Sequence, residues 1–148
     1  MKKLSAVLFF CLLLVAAGCD NYKNRVPDTK ANRKAFEIIT GFSSDASVKK
    51  IYADADYFGF DPRWSVVCMA SPETVKRIVE KREMKKVEKK IDYPDFWGPD
   101  FTPWMSKEEL KKADCYEADV KKDGIVKTLY CLWYIPETRK CQMMVADF

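Results

Sequence analysis

The stretch IVKTLYCLWYI at residues 125–135 constrains the fold more than any other. In it Leu129, Cys131, Trp133 and Ile135 alternate with Tyr130, Leu132 and Tyr134, so an extended segment is apolar on both faces. Such a strand has to be covered on both sides, which places it at the centre of a sheet with another layer against each face. Turn sequences flank it, KKDG before and PETRK after, and beyond them DCYEADV and CQMMVADF provide neighbouring strands. The C-terminal part of the chain therefore reads as a β-meander. If Lys122, Asp123 and Gly124 form a three-residue loop with Gly124 left-handed, Lys121 opposes Ile125 and Cys115 opposes Cys131. A two-residue turn shifts the register by one and sends those cysteines to opposite faces.

Upstream, NRKAFEIITGF places Ala35, Phe36 and Ile39, with Ile38 as a further candidate, on one helical face before Gly41 ends the pattern. Ile51, Ala53, Ala55 and Tyr57 alternate at strand period, and RWSVVCMA is a dense β-branched run. The two form a hairpin around Gly59, Asp61 and Pro62. Ser71 and Pro72 are an N-cap and first-turn pair, with Glu73 suited to the helix dipole, and open a helix over about 72–83 that buries Val75, Ile78 and Val79. Ser106 and Glu109 have capping-box spacing ahead of a short helix with Leu110 and Ala113 as its apolar face. The sum is an α+β domain: an antiparallel sheet of about five strands, two or three short helices and a C-terminal meander.

Two segments stand out as interaction surfaces. Lys76, Arg77, Lys81, Arg82, Lys85, Lys86, Lys89 and Lys90 outnumber Glu80, Glu83 and Glu88 in one short run. A solvated helix face, an anionic lipid surface and an acidic protein partner are all compatible with it. Residues 91–105, IDYPDFWGPDFTPWM, contain three Pro and one Gly, which forbid regular helix, together with Tyr93, Phe96, Trp97, Phe101 and Trp104. That aromatic area either packs down as a lid on the sheet or is presented to a partner.

The N-terminus supplies an address. Lys2 and Lys3 precede an apolar run from Leu4 to Val15, which is shorter than the roughly 20 residues a membrane-spanning helix needs. Small residues follow, the three-part layout of a secretory signal. Ala16, Ala17, Gly18 and Cys19 resemble the lipobox of bacterial lipoproteins, with Ala16 where Leu is usual. The resemblance implies that Cys19 receives a diacylglycerol, that cleavage follows Gly18, and that an acyl chain such as palmitate joins the new amino group. Two or three chains make attachment effectively permanent, because each buried methylene contributes about 0.8 kcal/mol. Asp20 and Asn21 after the lipidated position resemble a retention signal that favours the periplasmic face of the inner membrane over the outer membrane. The chain divides into a signal at 1–18, a lipidated N-terminus and tether at 19–31, and one globular domain at 32–148.

Cysteine and charge fit that address. Cys11 leaves with the signal and Cys19 is the anchor, so Cys68, Cys115, Cys131 and Cys141 remain in the folded part, an even number that suggests two disulfides with three possible connectivities. The meander register motivates Cys115–Cys131, leaving Cys68–Cys141. No C-x-x-C pair and no His occur anywhere, which argues against zinc and removes Ser-His and Cys-His nucleophile systems. The net charge of +4 becomes +2 once Lys2 and Lys3 are removed, a balance that gives nucleic-acid binding no support. No phosphate-cradling Gly loop, dinucleotide fingerprint or nucleophile elbow is present, so no cofactor is expected.

These readings converge on a noncatalytic, lipid-anchored protein of the bacterial envelope that binds another protein through its aromatic segment and basic helix. In plan it is similar to small envelope lipoproteins of uncharacterised or immunity type, whose partner would be a toxin or lytic enzyme. Two alternatives stay open. One is an envelope hydrolase acting on glycan or peptide with paired carboxylates from Asp54, Asp56 and Asp61 or from Asp92, Asp95 and Asp100. The other is a structural tether in an envelope complex.

Overall fold

The computed structural model describes residues 26–56, 63–88 and 104–147. In chain order the elements are α1 (Lys30–Thr40), β1 (Lys49–Asp56), β2 (Arg63–Met69), α2 (Pro72–Lys81), β3 (Lys85–Lys86), α3 (Lys107–Lys112), β4 (Asp114–Lys122), β5 (Ile125–Ile135) and β6 (Lys140–Asp147). The strands form one antiparallel sheet in the order β1-β2-β6-β5-β4-β3. This is the expected α+β class, with one strand beyond the five expected. The addition is the two-residue β3, too short to show a period in the sequence.

The doubly apolar strand lies inside the sheet, as its alternation requires. Leu132 and Tyr134 of β5 share a face with Ile51, Ala53, Val66, Cys68, Cys141, Met143 and Val145, and Ala35, Phe36 and Ile39 of α1 with Val75 and Ile78 of α2 cover that face. Cys131, Trp133 and Ile135 point the other way and join Cys115 and Met144 under Met105, Leu110 and Ala113. Leu132 has no solvent exposure and Trp133 is 3% exposed, so each contributes roughly 1.5–3 kcal/mol by burial.

The helix starts follow the sequence signals. Ser71 accepts the Thr74 N–H at 3.2 Å with Pro72 in the first turn of α2. Ser106 and Glu109 close both arms of a capping box, at 3.1 and 2.8 Å. In α1 the cap is Thr29, whose hydroxyl accepts the Asn32 N–H at 3.1 Å, and Gly41 at φ +81° ends the helix in the left-handed conformation that glycine adopts without a Cβ clash.

Residues 26–29 are therefore built into the fold, although they lie in the stretch read from sequence as tether. The Asp28 N–H donates to the Ile51 carbonyl at 2.8 Å, and its carboxylate accepts from the Lys50 and Ile51 N–H groups at 3.0 and 3.4 Å. The Asn32 amide donates to the Val26 and Ile51 carbonyls at 2.8 and 3.0 Å. Lys50 is left-handed at φ +54° where the β1–β2 register slips between Lys49 and Tyr52. The outer edge of β1 is thus bulged and plugged, two of the ways a sheet edge is kept from pairing with other chains.

The meander register corrects the expected one. Lys122 opposes Ile125 around a two-residue turn, with Asp123 at φ +54° and Gly124 at φ +78°, the doubly left-handed arrangement of a type I′ hairpin. A register shift then follows: Lys121 opposes Val126 but Val120 opposes Thr128, leaving Lys127 as an extra residue in β5. Turn and bulge each displace the pairing by one, so the parity of the faces is restored while the partners move by two. Cys115 consequently opposes Trp133, and Cys131 opposes Glu117. The two cysteines share a face but are diagonal neighbours, not the directly opposed pair that the three-residue loop implied.

Candidate protein-binding groove

The β4–β5 hairpin is longer than the layer that covers it. Leu132 and Tyr134 at its base are buried, Ala118 and Tyr130 are half-buried, and Val120 and Ile125 at its tip are 52% and 60% exposed. Between this projecting arm and the end of α2 lies a groove of about 560 Å³, with Lys81, Arg82, Glu83 and Lys85 on one wall and Glu117, Ala118, Asp119, Val120, Lys121 and Tyr130 on the other.

Arg82 builds the helical wall. It caps α2, and its Nε and Nη2 donate to the Ile39 and Ile38 carbonyls at 2.8 and 2.5 Å, binding the C-terminal end of α1. Its guanidinium stands 4.8 Å over the Tyr130 ring, so one side chain ties both helices to the hairpin arm. Glu83, at φ +52°, then turns the chain into β3. The rest of the basic run is mostly engaged: Lys76 approaches Glu80 at 3.9 Å, Arg77 lies 4.0 Å over Phe42, and Lys86 pairs with Asp114 at 2.6 Å. Lys81 and Lys85 are exposed at the groove. Lys89 and Lys90 fall outside the described residues.

The strand wall is a sheet edge. Lys85 and Lys86 oppose Glu117 and Tyr116, and the Val87 N–H donates to the Cys115 carbonyl at 3.0 Å. Alternate residues of a strand bond to the same side, so β4 turns the backbone of residues 115, 117, 119 and 121 outward, away from β5. Residues 115 and 117 meet the β3 segment. Beyond them, among the described residues, no strand pairs with Asp119 and Lys121. On the side-chain level Asp119 pairs with Lys121 at 3.3 Å, and the Glu117 carboxyl is raised by burial and, secondly, by the Asp119 charge.

Sequence-predicted site residues are distributed unevenly over this structure. Cys19, Asp20, Asn21, Tyr93, Phe96, Trp97 and Phe101 lie outside the described residues, as do Asp92, Asp95, Asp100, the expected strand residue Tyr57 and the turn residues Gly59, Asp61 and Pro62. Trp104 is half-buried, edge-on to Tyr52 with centroids 5.5 Å apart, and its carbonyl accepts from Lys140 Nζ at 3.5 Å. Met105 beside it is 1% exposed. This end of the aromatic segment packs as a lid on the face opposite α1 and α2, pinned by Lys140, which also pairs with Glu109 at 2.6 Å. Asp54 sits in β1 opposite Ser65.

Cys68, Cys115, Cys131 and Cys141 are all buried thiols. Cys68 and Cys141 directly oppose each other across β2 and β6, and their mutual hydrogen bond, followed by burial, pushes the Cys68 thiol well up. Burial also pushes Cys131 up to about 12. Among the described residues, no group of three or more His, Cys, Asp and Glu side chains is placed to hold a metal ion, and no helix is long and apolar enough to cross a membrane.

The groove residues Glu117, Asp119, Val120 and Tyr130, and the exposed Ile125 at the hairpin tip, are absent from the sequence-derived site. Their signal was the polar interruption VKKDGIVKT, which sets Val120 on one side of a turn and Ile125 and Val126 on the other. No protein-family model, curated protein or solved structure matches the chain.

Proposed function

We propose that this is a noncatalytic binding protein, lipid-anchored at Cys19 in a bacterial envelope, that captures a partner protein by receiving one of its extended segments along the outer edge of β4. The observation that carries the reading is the contrast between the two sheet edges. The β1 edge is bulged and plugged by Asp28, whereas the β4 edge beyond Glu117 presents the outward backbone of Asp119 and Lys121 beside a groove. Strand addition takes affinity from main-chain hydrogen bonds and specificity from pockets for alternate side chains. Val120 supplies an apolar anchor in the groove, with the exposed Ile125 at the tip of the same hairpin, and Lys81, Lys85 and Glu83 set charge on the opposite wall.

The address rests on the lipobox-like Ala16, Ala17, Gly18 and Cys19. Membrane attachment then holds the groove where an envelope partner meets it repeatedly, which raises its effective concentration.

The test uses the full lipidated chain in its own cell envelope, with a photo-crosslinking residue at position 120 and a control at Lys34 on the exposed surface of α1. A discrete protein adduct is expected from position 120 only. Asp119→Pro removes an outward donor without touching the β4–β5 ladder, a placement that proline tolerates on edge strands. It should abolish the adduct while Asp119→Ala keeps it. An adduct that survives Asp119→Pro, or none at position 120, rejects the edge as the binding surface. Separately, Cys19→Ser should move the protein from the membrane pellet to the soluble fraction, and a variant that stays in the pellet rejects the anchor.

A further inference from the structure

The sheet is assembled from two stretches that are far apart in sequence, and β2 against β6 is the seam that joins them. Cys68 and Cys141 face each other in that seam, 1% and 2% exposed. The Ala70 N–H donates to the Arg139 carbonyl at 2.9 Å two residues along the same ladder, which identifies Cys68–Cys141 as a hydrogen-bonded pair. In such pairs the Cα atoms stand about 5.5 Å apart, inside the roughly 4.4–6.8 Å that a disulfide spans, while the Cβ atoms, also about 5.5 Å apart, must draw about 1 Å closer for the bond to close. Both side chains point into the layer between the sheet and the helices α1 and α2. The other two cysteines differ. Cys115 and Cys131 are diagonal across β4 and β5, a relation that places Cα atoms about 7–8 Å apart, at or past the limit for bridging without backbone movement.

We propose that Cys68 and Cys141 form the one disulfide of this domain whenever the chain folds in the presence of a disulfide-class oxidant, and that Cys115 and Cys131 stay as thiols. Each of the two thiols loses its proton, one S–S bond forms between them, and two electrons pass to the oxidant disulfide, which leaves as two thiols. The exchange needs a thiolate, and at Cys68 the hydrogen bond with Cys141, followed by burial, disfavours one in the folded sheet. The bond therefore closes while β2 and β6 are still coming together, and the finished sheet then seals it from reductant. It rests on the exported address only for the supply of oxidant and is independent of the groove.

The experiment takes full-length lipidated protein, reduces and unfolds it, and refolds it in a glutathione redox buffer. Remaining thiols are blocked under denaturing conditions and the links are mapped by peptide mass spectrometry. The expected product carries two blocked thiols, at Cys115 and Cys131, and one linked peptide pair containing Cys68 and Cys141. A Cys115→Ser, Cys131→Ser double variant should give the same linked pair. Four blocked thiols in the refolded chain, or a link to Cys115 or Cys131, overturns the proposal. Protein taken directly from the envelope then tests the address by itself: a Cys68–Cys141 link there shows exposure to an oxidising compartment, and its absence despite ready closure in glutathione counts against export alone.

Discussion

Replacing Arg82 should loosen the domain more than its half-exposed position suggests. Its two donors satisfy carbonyls at the end of α1, where the last four C=O groups of a helix have no intrahelical partner. A hydrogen bond to a charged group contributes about 1.5–3 kcal/mol, a cation at a helix C-terminus a further 0.3–1 kcal/mol, and an exposed cation–π contact about 0.5–1 kcal/mol. Water can replace the Nη2 bond, which is at the surface, so the lower ends for the Nε bond, the helix terminus and the ring apply and Arg82→Ala should cost about 2–3 kcal/mol. For a domain of this size that is a fall in Tm of roughly 10 °C. Arg82→Lys keeps the charge but not the planar fork, so it should recover less than half. Exposed Lys81→Ala is the control and should stay within about 0.5 kcal/mol. Urea titrations followed by Trp fluorescence measure all three. If Arg82→Ala costs less than 0.5 kcal/mol, or if Lys restores it fully, the clamp between α1, α2 and Tyr130 is not the reason the helices hold their position.

Glu109 gives a pH-dependent outcome. Lys140, and secondly the Ser106 N–H, hold its carboxyl below the ordinary value, so its stabilisation is present above the unfolded pKa of about 4.3 and is lost as pH falls through the lower folded value. Denaturant midpoints of the native protein and Glu109→Gln should differ near pH 7 and converge on acidification, and a gap that widens towards low pH contradicts the pairing. At the hairpin tip, Gly124→Ala meets no heavy atom within 4 Å but stays at φ +78°, so calorimetry should show only the left-handed backbone penalty of about 1–2 kcal/mol. A null effect would mean that the turn can reorganise.

Features set by neighbouring residues were legible in the sequence. Ser71–Pro72, the Ser106/Glu109 box and the two-faced alternation of β5 each depend on a few adjacent side chains, and each stands where its pattern placed it. The meander register was not legible, because KKDG is compatible with loops of two or three residues and nothing in IVKT marks Lys127 as a bulge. Asp28 falls in the stretch read as tether, and Asn32 is given no role. Their partner, the Ile51 backbone, is distant in sequence, and no local pattern announces it. The groove was hidden for a related reason. Val120 and Ile125 are exposed because the helical layer stops at Arg82, and only the assembled layers show which strand ends extend past their cover.

If Cys19 is lipidated as proposed, the plug at β1 limits how far that margin can stand from the membrane. Only seven peptide steps separate Cys19 from Val26, at most about 25 Å of chain, so a lipid on Cys19 keeps the β1 margin close to the bilayer. Four strand spacings, some 19 Å, separate β1 from β4. Under the proposed anchoring, the rim that carries the tether and the edge that would receive a partner segment lie on opposite sides of the sheet.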